Sequence, residues 1–69
     1  MSRRRAGSAR FDPYYKVQWW DATGLAWRDI QRSWADDEDD AARAWAAARY
    51  RAGEWRLMYI TEAGRTPVE

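Results

Sequence analysis

The chain has 69 residues, a formal net charge of +1, and neither cysteine nor histidine. One domain of this size buries only about 60% of the surface its unfolded chain exposes, so the core is marginal and each of the eleven aromatic side chains counts. The missing residue types exclude disulfides, zinc sites of the usual kind, thiol nucleophiles and the ordinary imidazole general base; we therefore expect no enzyme, no cofactor and no small-molecule substrate.

Residues 1–13 read as a flexible basic tail, with Arg3, Arg4, Arg5 and Arg10 around Ala-Gly-Ser and then Pro13. No apolar segment follows the charges, and no run approaches the roughly 18 apolar residues that span a bilayer, so a cytoplasmic protein without membrane contact is expected. The folded domain should begin at residue 14. Tyr14 to Asp21 alternates as a strand, with Tyr15, Val17 and Trp19 on one face and Tyr14, Lys16, Gln18 and Trp20 on the other. Asp-Ala-Thr-Gly then supplies turn chemistry, with Gly24 suited to positive φ, and Leu25 to Trp34 returns as the second strand of a hairpin. Leu25 and Trp27 fall on one face of that strand and Ile30 and Trp34 on the other, with a bulge near Arg28 or Asp29 as a means of re-aiming its end.

The run ADDEDDAARAWAAARYRAG is a helix by composition. It has five acids where the macrodipole favours them, alanine next, arginine later and Gly53 as the stop. Ser33 or Asp36 would cap it. Ala41, Ala42, Trp45, Ala48, Arg49 and Ala52 fall near one face, which makes Trp45 the anchor. Glu54 to Thr61 is a third strand, apolar on much of both faces. Glu62, Ala63 and Gly64 signal a turn, and Arg65 to Val68 has the length of a short return strand that Pro67 would confine to an edge.

The order β-β-α-β leaves few topologies. A right-handed crossover makes the second and third strands parallel, and the first strand inserts between them with both pairings antiparallel. The expected fold is therefore α+β, a three-stranded antiparallel sheet of order 2-1-3 packed on one helix. One helix covers one face, so aromatic side chains should remain on the other.

Two uses of such a face compete. Sheets that stack unpaired bases on aromatics bind single-stranded nucleic acid, and Arg3, Arg4, Arg5 and Arg10 would then meet phosphates. Alternatively the face meets a protein partner or a second copy, since tryptophan and arginine are enriched at interface hot spots. The near-zero net charge favours protein, because phosphate binding calls for a cation excess. Tyr14, Trp20 and Trp27, rimmed by Arg28 and Arg56, are the expected interface residues. The acidic run Asp36 to Asp40 reads first as helix N-terminal charge. A calcium loop would need alternating ligands and a glycine at its turn, and a patch imitating phosphates would need further acidic surface.

The tryptophan-rich hairpin, the acidic-start alanine helix around Trp45 and the closing strand EWRLMYI together resemble the small β-β-α-β orphan proteins of bacteriophages and integrated elements of high-GC bacteria. Over residues 14–61 that resemblance implies a compact accessory protein that works by binding, such as an inhibitor of a host enzyme or defence complex of the anti-CRISPR kind, or a small virion component. It transfers no functional residue to any position.

Overall fold

The computed structural model describes residues 11–68, so Arg3, Arg4, Arg5 and Arg10 of the expected tail lie outside the described residues. Strand β1 (Tyr14–Asp21), strand β2 (Ala26–Ala35), helix α1 (Asp39–Ala47), strand β3 (Trp55–Thr61) and strand β4 (Gly64–Pro67) follow one another along the chain. They form one sheet in the order β2-β1-β3-β4, antiparallel at every pairing. The expected placing of the first strand between the second and third is present, but the sheet has four strands rather than three. The fourth forms because Gly64, at φ 140°, closes a tight turn after Thr61. The Thr61 hydroxyl accepts from Ala63 N–H at 3.2 Å and donates to Gly64 O at 3.4 Å. Pro67, opposite Met58 on the outermost strand, removes a donor only from an edge.

The hairpin between β1 and β2 is organised by Asp21, whose Oδ1 accepts from the N–H groups of Thr23 at 3.0 Å and Gly24 at 3.1 Å. The left-handed residue is Leu25, at φ 54°, and not Gly24 as its type suggested. A Cβ at Gly24 would stand 2.7 Å from Arg28 Nη2, the mobile tip of a side chain that can shift aside.

A bulge interrupts β2 slightly beyond its expected position at Arg28 or Asp29. Lys16 pairs with Ser33 and Gln18 with Asp29, so Ile30, Gln31 and Arg32 together oppose Val17. The surplus is two residues, an even number, so the alternation of faces survives: Trp27 and Ser33 share one face, and Trp34 lies on the other with Ile30. Lys16 Nζ donates to the carbonyls of Ile30 at 3.0 Å and Gln31 at 3.3 Å, two acceptors in the interrupted stretch.

Helix α1 is shorter than composition suggests. Ser33 is a strand residue, paired with Lys16, and cannot cap it. Glu38 closes the turn into the helix, since its Oε1 accepts from Ala35 N–H at 2.9 Å while its own N–H donates to Ala35 O at 2.9 Å. The pair closes a turn ahead of the helix rather than capping its first turn. The helix ends at Ala47, where Tyr50 N–H returns to Ala46 O at 2.8 Å. Gly53 is therefore not the helix stop. At φ 89° it is the third residue of a separate turn, Arg51–Glu54, a position that requires positive φ. Glu54 repeats the device of Glu38: it donates to Arg51 O at 2.9 Å and accepts from Arg51 N–H at 3.0 Å.

The core lies between helix and sheet. Val17, Trp34, Ala42, Ala46 and Leu57 are buried there, with Tyr15, Ile30, Trp45, Tyr50 and Trp55 packed around them. Ala42 and Ala46, four residues apart, face the sheet and are fully buried. Their small side chains let the helix approach closely. Ala41 and Ala48, expected on this face, are exposed. Trp34, at 5% exposure, is the deepest tryptophan; the expected anchor Trp45 is half-buried on the flank, its ring 5.4 Å from that of Trp34. The Arg49 guanidinium covers the outer side of Trp45 at 4.2 Å.

Candidate interaction surface

The second face of the sheet is built from the alternate residues of the same strands. Gln18, Met58 and Ile60 lie on it and are only 7%, 4% and 7% exposed, although the helix is on the far side. Long side chains of the chain itself cross this face. Arg56, on β3, crosses β1: its Nε donates to Gln18 Oε1 at 2.7 Å and its guanidinium rests 4.4 Å from the ring of Trp27 on β2. Arg65, on β4, reaches the opposite edge strand, where its Nη2 donates to Asp29 Oδ1 at 2.7 Å and Oδ2 at 2.8 Å. Edge strands of a flat four-stranded sheet stand about 14 Å apart, so this contact means that the sheet curls toward the face. Gln18 Nε2 completes the relay by donating to Asp29 Oδ1 at 2.7 Å. Arg65, aided by Gln18, holds the Asp29 carboxyl below the ordinary carboxylate range against partial desolvation.

Apolar surface survives at the two ends. At the hairpin end, Trp20 and Trp27 are cross-strand partners with ring centroids 5.3 Å apart, edge to face. Trp20 is 38% exposed and Leu25, at the turn, 75%. At the opposite end Phe11 packs against Tyr14 with centroids 6.0 Å apart.

Of the interface residues expected from sequence, Trp20, Trp27 and Arg56 come together. Tyr14 does not join them, lying six residues along β1 from Trp20, about 20 Å away. Arg28 pairs in register with Trp19, on the helix side of the sheet, and folds over the hairpin turn, where its Nε is 3.1 Å from Asp21 Oδ2. The Gly24 N–H, opposed by some desolvation and assisted by Arg28 and Thr23, keeps the Asp21 carboxyl below its ordinary value. Sequence reasoning missed Leu25 and the Gln18–Asp29–Arg65 relay. Gln18 carried the signal, since a glutamine in the central strand of a small sheet must find partners.

The described residues enclose no pocket. Among them no three acidic side chains, those of the run Asp36 to Asp40 included, gather as a metal site would require. No described helix is long and apolar enough to cross a membrane. Fold and surface together define a small antiparallel α+β domain with exposed aromatic side chains at both ends of its described residues. No family model, curated protein or solved structure matches the chain.

Proposed function

We propose that the protein is a small, non-enzymatic, cytoplasmic protein-binding module that engages a partner or a second copy through the corner formed by Trp20, Trp27 and Leu25. The observation that carries this reading is selective exposure. On the face away from the helix, Met58 and Ile60 are buried, whereas Trp20, on the same face, and Leu25, at the turn, stay exposed at 38% and 75%. Large aromatics rimmed by guanidinium groups suit an interface centre that becomes dry on binding. Tyr14 and Phe11 form a second, separate apolar spot at the far end. The likeness to phage and mobile-element accessory proteins supplies a setting, an inhibitor that acts by occupying a host enzyme or defence complex.

Nucleic acid is the competing occupant. Among the described residues, Arg28 and Arg65 are each already engaged by a carboxylate, which weakens the case for a phosphate backbone at this surface. Light scattering on the eluting protein, followed by titration of oligonucleotides at rising salt, tests the choice. We expect association that Trp20→Ala weakens without unfolding the chain, and that changes little between about 50 and 200 mM salt. Oligonucleotide affinity falling by roughly 10³ over that range would replace this reading with nucleic-acid binding.

A further inference from the structure

Arg56 differs from the other arginines of this surface. Arg28 and Arg65 have carboxylate partners at 3.1 Å and 2.7 Å. Arg56 has none among the described residues: its Nε is taken by Gln18, its plane by Trp27, and its two Nη groups make no hydrogen bond to a described residue. Asp29 is already bonded by Arg65 and Gln18. The side chain is nonetheless held in position, because Gln18 is fixed by Asp29, and Asp29 by Arg65 on the far strand. A partly buried guanidinium, oriented by its neighbours and lacking a counter-charge, is a prepared fork for an oxyanion. It lies against the open aromatic corner, with Trp20 packed on Trp27 and Leu25 two residues before Trp27.

We infer that Arg56 is the specificity-determining contact of this surface, and that its partner is an acidic protein segment in which an Asp or Glu carboxylate stands next to a large apolar side chain. The carboxylate accepts from the Arg56 Nη groups, and the apolar neighbour packs on Trp20 and Leu25. The inference rests on the protein-binding reading of the corner. One guanidinium with both Nη groups unengaged by described residues, set beside the aromatic corner, fits a single carboxylate. A phosphate backbone presents a row of charges, for which the described surface offers no matching row.

Selection of a displayed library of random short peptides against the whole protein tests both levels separately. Winners should carry Asp or Glu beside Trp, Phe or Leu. For such a peptide, Arg56→Gln should lower affinity about tenfold or more, the usual size of a charge-assisted hydrogen bond. Arg56→Lys should restore only part of it, since an ammonium cannot reproduce the fork. Exchanging the peptide's Asp for Asn should cost as much as Arg56→Gln, and the two changes together little more than either. That peptide-side change leaves the protein intact, so it decides the matter even if an Arg56 variant unfolds. Winners without an acid, lost on Trp20→Ala but indifferent to Arg56, would overturn the inference and leave the protein-binding reading standing. No enriched peptide, with salt-steep oligonucleotide binding instead, would remove both.

Discussion

Leu25 is the one described residue other than glycine with positive φ, and it is also the most exposed large apolar side chain, at 75%. A left-handed backbone costs a residue with a Cβ about 1–2 kcal/mol, least for asparagine. Nothing in the turn requires leucine, because the Asp21 carboxylate and two backbone N–H groups define the bend. Leu25→Asn should therefore raise stability by about 0.5–1 kcal/mol in a urea titration and weaken partner capture at the same time. A less stable Asn variant would show that the leucine packs usefully in the free protein. The sequence did not reveal this residue, since the dipeptide Gly24-Leu25 points to the glycine on conformational grounds. The glycine instead stands against the tips of the Arg28 and Asp21 side chains.

Among the elements, the strands were the most legible. Alternation places β1 at Tyr14–Asp21 as expected, and its apolar residues on both faces mark it as central. The helix ends were not. Alanine and arginine continue past Ala47, but Tyr50 and the Arg51–Glu54 turn must bring the chain back to β3, and that tertiary demand ends the helix early. The sheet-facing stripe is Ala42 and Ala46 rather than the face centred on Trp45, which packs at the flank. Trp34→Ala should consequently cost about 3–5 kcal/mol and Trp45→Ala less, about 1–3 kcal/mol. Parallel guanidinium titrations give the order directly, and a larger loss at Trp45 would restore it as the anchor.

At the scale of the whole molecule, a sheet with one helix need not leave its second face bare. Long side chains cross it from β3 and β4, and alternation alone cannot show how far an arginine reaches once the sheet curls. The candidate site was thus half legible: Trp20, Trp27 and Arg56 by type and parity, the relay that fixes Arg56 only in three dimensions. The Asp29–Arg65 pair joins the two edge strands, and its stability has a definite pH sign. The Asp29 and Asp21 carboxyls both lie below their ordinary value of 3.8 in the folded protein. Each therefore contributes stability that is complete above that value and is lost as pH falls through the folded-state pKa. Unfolding midpoints measured from about pH 6 downward should fall in acid, and Asp29→Asn or Arg65→Met should flatten part of that slope. An unchanged slope in both variants would mean the clasp is already open in solution.

The bulge of β2 carries a rule about length. Because its surplus over Val17 is two residues, everything after it keeps the phase set by the hairpin. A single insertion or deletion between Asp29 and Ser33 would turn Trp34 out of the core and present Ser33 and Ala35 to the helix, whereas the loss or gain of a pair would leave the inside inside. This segment can thus change its span in even steps only, and Lys16, which meets the carbonyls of the looped residues, would register each step by the acceptors it keeps or loses.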